Sequence, residues 1–335
     1  MYRLTLPLAS GVRLAVCVLL TLASRASAQD TTSNLPAGRG RSVLLPDLVV
    51  ASLTHRPSNP ITGDIVTFLV AGGNIGRASA GPSQLEFRIV GEAPGSGRTL
   101  RVPVPALGAD QTSAGVTVTQ QRVPVAQRYW ATATADITRV VAEARETNNV
   151  ATDYLRVAQI DQQNAVNPTG YTMPIVPLGP GLATSRLAQV VTAGLAGKLV
   201  QVRLPIQCRW DATGALVVEL QHVDPNTGMP NESVLRWTSV PAATLSGSSL
   251  YKDIMFGSGG PDLVAGDRFA IVLTTTGNRS CDIKSAGVGM DYVGGQGFTG
   301  NWDHINNHWS PWHVLPNPPF DLAFVTALGP SGGLW

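Results

Sequence analysis

The chain has 335 residues, with 24 Lys and Arg against 22 Asp and Glu, a hydrophobic fraction of 44%, 35 glycines and 24 prolines. A chain this close to neutral lacks the basic surface that binding to nucleic acid or to an anionic membrane requires. The length allows two domains. Frequent Gly and Pro residues between short apolar runs favour strands and turns over long helices.

Residues 1–28 have the pattern of an export signal. Arg3 and Arg13 form a positive region, an apolar run follows, and Ala26 and Ala28 form a small-residue cleavage site. The apolar run is too short to span a membrane as a helix, and no later apolar segment is long enough. We therefore expect a secreted protein without a membrane span, located in the extracellular space, in the periplasm or at the cell surface.

Residues 29–45 are polar and interrupted by Gly and Pro, which predicts a disordered leader. Short alternating runs follow over residues 46–157. One of them, DIVTFLV, places Val66, Phe68 and Val70 on a single face. About seven such runs, separated by turn residues, predict one immunoglobulin-like sandwich.

Residues 158–182 break the alternation with Asn, Pro and Gly, and we interpret them as a linker that partly packs onto the next domain. Alternating runs resume over residues 183–330, separated by turn sequences such as DATG, DPNTG and VAGD. This pattern predicts a second sandwich of jelly-roll type with about eight strands. The predicted fold class is therefore all-β, with an immunoglobulin-like sandwich followed by a jelly-roll-like one.

Two cysteines remain after removal of the signal, Cys208 and Cys281, and each follows a strand-like run. In an oxidising compartment such a pair usually forms a disulfide. Closing a loop of this length would stabilise the fold by roughly 4 kcal/mol in the chain-entropy model. The alternative is a free catalytic thiol.

The first predicted sandwich resembles the CARDB domain, a bacterial cell-adhesion-related family. The resemblance is carried by PDLVV at the start, AGGNIG near the end of the second strand and TAD…VVAEARETNNVAT at the close. It implies a non-catalytic extracellular module, often repeated or attached to other domains. Segments of the second predicted domain, such as AQVVTAGLAGKLVQVRL and LVAGDRFAIVL, are similar in pattern to sandwich modules of bacterial secreted proteins. Several of those modules resemble carbohydrate-binding modules in architecture.

The segment EARETNN, residues 143–149, lies between two strand-like runs and allows two interpretations. In the first, the Asn pair closes the turn and a glutamate accepts backbone N–H groups that the sheet leaves unpaired. In the second, the turn binds calcium through oxygen ligands. The candidate calcium ligands are Asp136, Glu143, Glu146 and Asn148. We expect no other cofactor.

Residues 301–313 hold the densest group of aromatic and titratable side chains. The candidate ligand-binding residues are Trp302, Asp303, His304, His308, Trp309, Trp312 and His313. Tryptophan rings can cover the apolar faces of sugars while Asp and His bond their hydroxyl groups, so this segment is a candidate carbohydrate site. Alternatively, the rings cover the open end of the sandwich, or His304 and His308 bind a transition metal.

The sequence contains no H-E-x-x-H motif, and Glu219 and Glu232 are the only glutamates of the second predicted domain. We therefore expect a non-enzymatic binding, adhesion or structural protein. Its partner would be a glycan or a cell-surface or matrix protein, and not nucleic acid. The alternative is an extracellular hydrolase that uses Asp303 and His304.

Overall fold

A computed structural model describes the chain from residue 43 onward. The described ranges are 43–93, 95, 97–113, 115–166, 171–176, 185–247, 251–277, 281–287, 291–303, 308–315 and 321–329, and the side chains of 116–121 and 302–303 are not included. The predicted signal peptide and most of the predicted leader lie outside these ranges. No helix in the described ranges is long and apolar enough to cross a membrane.

The first sandwich is built from two antiparallel sheets. Its strands are β1 (Leu48–Arg56), β2 (Ile65–Asn74), β3 (Ser83–Gly91), β4 (Arg98–Val104), β5 (Gln111–Thr112), β6 (Val116–Arg122), β7 (Arg128–Thr134) and β8 (Val150–Arg156). One sheet has the order β1-β2-β5, with β6 also paired to β2, and the other has the order β4-β3-β7-β8. This arrangement confirms the predicted sandwich.

The core of the first sandwich follows from the two-residue period of its strands. In β3 the side chains of Leu85, Phe87 and Ile89 are buried, while the residues between them are more exposed. Phe87 packs against Phe68 from the opposite sheet, with ring centroids 4.9 Å apart. Alternation therefore predicts both the strands and the face that each strand buries.

The second sandwich also consists of two sheets. Its strands are β9 (Gln159–Asn164), β10 (Thr172–Ile175), β11 (Ser185–Thr192), β12 (Gly197–Cys208), β13 (Ala215–Val223), β14 (Pro230–Pro241), β15 (Tyr251–Met255), β16 (Asp262–Leu263), β17 (Arg268–Thr275), β18 (Cys281–Lys284), β19 (Gly297–Asp303), β20 (His308–Trp309), β21 (His313–Val314) and β22 (Phe324–Gly329). Two short 3₁₀ helices, Ala242–Leu245 and Gly257–Gly259, connect some of them. One sheet has the order β10-β18-β12-β22-β9, with β15 and β16 paired to β12. The other has the order β14-β13-β17-β11-β19-β20, with β21 paired to β19.

The chain passes repeatedly from one sheet of the second sandwich to the other, as between β11, β12 and β13. Its large core lies between the sheets and includes the fully buried rings of Phe269 and Phe324. The all-β fold class with two sandwiches is therefore confirmed.

Residues 158–182, interpreted from the sequence as a linker, contain two strands of the second sandwich. Strand β9 pairs with β22, and β10 pairs with β18. The sequence of β9, QIDQQN, has one apolar residue, and β9 lies at the edge of its sheet with most of its side chains exposed or half-buried. Such a strand leaves no alternating signal in the sequence.

The predicted disulfide is confirmed. Cys208 and Cys281 are directly paired residues of β12 and β18, with Cα atoms 3.9 Å apart, and their sulfur atoms are bonded. Both residues are buried. The bond therefore ties together two neighbouring strands of one sheet inside the core.

The two sandwiches meet at a joint formed by the loop after β1 and by strands of the second sandwich. Ile61 and Ala158 form a parallel bridge and pack with Val200 and Ala327 in a small buried cluster. Beside this cluster, the guanidinium group of Arg203 on β12 contacts carboxylates from both sandwiches. The joint therefore combines apolar packing with a partly buried ion-pair network.

Candidate functional site

The predicted carbohydrate site lies at one edge of the second sandwich, where β19, β20 and β21 form a hairpin region. Trp302 pairs with Trp309, and Asp303 pairs with His308. Ser310 closes the hairpin, because its backbone N–H donates to the Asn301 carbonyl at 2.7 Å and its hydroxyl accepts from the Asn301 N–H at 3.0 Å. The strand register thus brings most of the predicted residues into one region.

Arg186 on β11 is the organising residue of this hairpin. Its guanidinium carbon lies 4.5 Å from the ring centroid of Trp309 and 3.9 Å from that of Trp312. Two nitrogens of the same group contact the two carboxylate oxygens of Glu232, at 2.7 and 2.9 Å. The side chain of Arg186 is 3% exposed, so the cation–π contacts act in a desolvated environment, whereas Glu232 is 53% exposed and the ion pair is partly solvated.

Glycine at position 300 makes room for this arrangement. A Cβ atom there would lie 2.8 Å from the Nε atom of Arg186, so any side chain at this position would require Arg186 to shift. Arg186 Nε and the indole Nε1 of Trp312 are buried and have no acceptor among the described residues. The hairpin therefore contains two buried donors whose hydrogen bonds the described side chains do not satisfy.

The two tryptophans beside Arg186 have different environments. Trp312 is buried in an apolar cluster with Phe298 and Val190 on the outer side of its sheet. Trp309 is half-buried, and His308 and His313 are exposed. Trp309 is therefore the ring of this pair that reaches the surface.

Part of the predicted site lies outside the described residues. His304 belongs to an omitted range, and only the backbone of Trp302 and Asp303 is described. The Asp303–His304 pair and the His304–His308 metal pair therefore remain predictions.

The EARETNN turn is occupied by hydrogen bonds within the protein. Glu143 is buried, and its Oε2 accepts the backbone N–H of Leu48 while its Oε1 accepts from Asn149 Nδ2 at 2.9 Å. Desolvation by burial is the main cause that raises the pKa of Glu143, with Glu146 and Asp136 adding to it, while the two hydrogen bonds oppose the shift. Glu143 thus joins the turn to the first residue of β1.

The other predicted calcium ligands also have partners inside the protein. Asp136 is buried and accepts the backbone N–H groups of Val140 and Val141 at 3.2 and 2.9 Å. Asn148 donates to Asp47 Oδ1 at 2.8 Å, and Glu146 accepts the N–H of Glu143 at 3.3 Å. These contacts satisfy backbone donors that the sheet does not pair.

The described ranges contain no group of three or more His, Cys, Asp or Glu side chains arranged to hold a metal ion. In the EARETNN turn, the carboxylate oxygens that calcium would need accept hydrogen bonds from the protein. The Oδ1 atom of Asn148, however, is buried and has no donor among the described residues, so calcium binding at this turn remains a prediction.

The structure also contains a buried polar network that the sequence does not reveal. Asp321 is fully buried and accepts from Gln189 Nε2 at 3.0 Å and from the Tyr292 N–H at 2.7 Å. Burial, reinforced by Asp291, raises the pKa of Asp321 to about 6, although both hydrogen bonds oppose the shift. Gln189 Oε1 in turn accepts the N–H of Leu322 at 2.8 Å.

Comparison with known families agrees with the fold of the first sandwich. The CARDB family model matches residues 45–153, so the first sandwich is a CARDB domain. This confirms the resemblance seen in the PDLVV, AGGNIG and EARETNN segments. CARDB is a non-catalytic domain family. A comparison with curated proteins gave no match.

Several solved structures are similar to parts of the chain. One is a CARDB domain from Pyrococcus furiosus in complex with di-metal ions, at 24% identity and a TM-score of 0.27, covering 34% of this chain and 94% of that one. Another comes from a study of carbohydrate-binding modules of the β-sandwich superfamily, at 11% identity and a TM-score of 0.28, covering 71% and 96%. The partial N-terminal region of an enterococcal surface protein has 11% identity and a TM-score of 0.19, covering 90% and 98%. These values are too low to support an inference about ligands.

Proposed function

We propose that this chain is a secreted, non-catalytic binding protein of the bacterial cell surface or extracellular space that recognises carbohydrate at the Trp309 hairpin. Three features support the location and class: the export signal predicted from the sequence, the Cys208–Cys281 disulfide and the CARDB domain. The CARDB domain then supports and positions the second sandwich, which carries the binding site.

The observation that carries the proposal is the fixed position of the Trp309 ring. Arg186 lies against this ring and is itself held by Glu232 and Trp312. A ring that is already immobilised loses little conformational entropy when it stacks on a sugar. His308 and His313 are exposed in the same hairpin region, but strand alternation places their side chains on the opposite face from the Trp309 ring.

The test is retention of the mature protein on immobilised neutral polysaccharides and on a glycan array. Trp309→Ala should weaken binding about threefold to tenfold, because an aromatic contact contributes on the order of 1 kcal/mol beyond its buried area. Trp210→Ala is the matched control, since Trp210 is 84% exposed on a turn elsewhere in the second sandwich. Thermal melting of both variants shows whether the fold is intact.

Two results would contradict this function. One is a folded Trp309→Ala variant that retains the binding of the unmodified protein. The other is equal loss in the Trp210→Ala control, which would indicate non-specific adsorption through exposed tryptophan. Arg186→Lys gives an independent measurement, because lysine retains the charge but lacks the planar fork that holds Glu232 and stacks on the rings. It should weaken binding in the same direction as Trp309→Ala.

A further inference from the structure

A second exposed aromatic surface lies on the CARDB domain, on the outer face of the sheet β4-β3-β7-β8. Trp130 on β7 and Tyr154 on β8 are directly paired residues, so their side chains stand next to each other on the same face. They are 40% and 60% exposed, whereas the adjacent Ala131 and Leu155 are buried in the core. Two neighbouring exposed rings therefore lie side by side on this face, which we name the Trp130–Tyr154 platform.

The platform is bordered by cations. The guanidinium carbon of Arg128 lies 5.9 Å from the Trp130 ring, and that of Arg156 lies 5.9 Å from the Tyr154 ring. These two arginines are themselves directly paired across the strands. Like charges at directly opposite positions destabilise a sheet, so this pairing favours an anion that lies between or over them.

Acidic side chains neutralise only part of this charge. Glu92 contacts Arg128 at 2.7 Å, and Glu86 contacts Arg101 further along the face at 3.1 Å. In the part of the chain that the structure describes, no ion pair involves Arg156. The end of the platform near Arg156 is therefore electropositive.

That end opens into a cleft at the joint between the two sandwiches. The cleft has a volume of about 320 Å³, and Tyr154 and Arg156 line one wall while Gln201 and Met255 line the other. Gln201 is 1% exposed, and its Nε2 donor has no acceptor among the described residues; the same holds for the buried Nε of Arg156. These two donors lie beneath the cleft surface, and Arg156 is the charged residue of its lining.

We propose that the Trp130–Tyr154 platform and the adjoining cleft bind an acidic polysaccharide whose sugar units carry carboxylate groups. The rings stack on the apolar faces of successive sugars, and Arg156 binds a carboxylate at the entrance of the cleft. Hydroxyls of Thr132 and Thr152, the next directly paired residues along the same face, lie within the same row. This combination of flat rings, hydroxyls and guanidinium groups matches a charged sugar chain.

The site is separate from the Trp309 hairpin, and the two inferences can fail independently. The experiment measures binding of the full mature chain to polygalacturonate and hyaluronan by affinity electrophoresis and calorimetry, with dextran as the neutral polymer. Trp130→Ala and Tyr154→Ala should each weaken binding about threefold to tenfold. Tyr154→Phe keeps the ring and should retain most of the binding that Tyr154→Ala loses, which assigns the loss to the ring.

The charge is tested with Arg156→Gln. This variant should weaken binding of the acidic polymers, and it should also reduce the dependence of their affinity on salt. Trp309→Ala should leave acidic-polymer binding unchanged, while Trp130→Ala should leave any neutral-glycan binding at the hairpin unchanged. Melting temperatures of all variants are measured in parallel.

The proposal is overturned if neither acidic polymer binds or if the alanine variants bind them as well as the unmodified protein. It is also overturned if polyglutamate or single-stranded oligothymidylate binds as tightly as the acidic polysaccharides, since the surface would then select for charge or bases and not for sugar. Loss of binding confined to Trp130→Ala, Tyr154→Ala and Arg156→Gln supports it.

Discussion

Replacing Arg203 by methionine tests whether the joint holds the two sandwiches together. Nη1 and Nη2 of Arg203 contact Asp64 Oδ1 and Oδ2 at 3.0 and 2.7 Å, and Nε contacts Asp253 Oδ1 at 2.7 Å. Asp64 belongs to the first sandwich and Asp253 to the second. Burial alone would lower the pKa of Arg203, but hydrogen bonds and charge attraction from both carboxylates raise it overall.

The size of the effect follows from what the substitution leaves behind. Arg203 is 15% exposed, and its partners Asp64 and Asp253 are 21% and 28% exposed, so the network is largely but not fully desolvated. Removing one partner of a buried ion pair destabilises by about 3–5 kcal/mol, because the remaining charges stay uncompensated. Because these side chains remain partly exposed, we expect Arg203→Met to lower the free energy of unfolding by about 3 kcal/mol, the lower end of this range.

The assay is urea unfolding of the full mature chain, followed by circular dichroism and by tryptophan fluorescence. Arg209→Met is the matched control, because Arg209 forms an ion pair with Asp211 and is 54% exposed. Its loss should destabilise by less than about 1 kcal/mol. Arg203→Met should lower the free energy of unfolding by more, and the two probes should separate into two transitions if the sandwiches then unfold independently.

A second substitution identifies the cause. Asp64→Asn in the Arg203→Met background removes one uncompensated charge, yet the carbonyl oxygen of the new amide can still accept the N–H of Ile61, which Asp64 accepts at 2.9 Å. The double variant should therefore recover part of the lost stability. If Arg203→Met is no more destabilising than Arg209→Met, water already solvates the joint and the reasoning from burial is refuted.

Three further predictions concern other parts of the chain. Asn149→Ala should destabilise the protein by about 1–3 kcal/mol, because it leaves the buried Oε1 of Glu143 without its donor. If the turn instead binds calcium, excess calcium should raise the melting temperature, and Glu146→Gln should abolish that rise. The raised pKa of Asp321, about 6 against a usual 3.8, means that the folded state binds the proton more tightly. The contribution of Asp321 to stability should therefore be fully present below about pH 4 and fall by up to about 3 kcal/mol as the pH rises through 6. Asp321→Asn should remove this contribution when the unmodified protein and the variant are compared in urea titrations from pH 4 to 8. Thiol labelling of the denatured, unreduced protein should find neither Cys208 nor Cys281 free; labelling of both would contradict the disulfide.

Features that depend on neighbours in sequence could be predicted, as the strands of the CARDB domain show. The alternation in β2 and β3 reports burial directly, because one face of each strand lies against the core. The EARETNN turn could also be placed between strands, because its Asn and Glu side chains act on backbone close by. Its bond from Glu143 to Leu48 could not be predicted, since it joins residues far apart in the chain.

Features that depend on strand register could not be predicted. Arg186 lies in an apolar strand that carries no sign of the distant tryptophans, and only the pairing of β11 with β19 brings it beside Trp309 and Trp312. The Trp130–Tyr154 platform depends in the same way on the register of β7 and β8. A shift of one residue would turn every side chain of a strand to the opposite face, so no local pattern specifies these neighbours.

The position of β9 has a mechanical consequence. Gln159, where the chain enters the second sandwich from the joint, is paired with Leu328 near the end of β22. Because the two strands are antiparallel, residues 159 and 328 lie at the same end of this pair. A force that pulls the chain before residue 159 away from the chain after residue 328 would therefore act at that end. Such a force would break the hydrogen bonds between β9 and β22 one after another from that end, and not all of them at the same time. Under tension, β9 would therefore peel away first, while the β12–β18 pair stays tied by its disulfide.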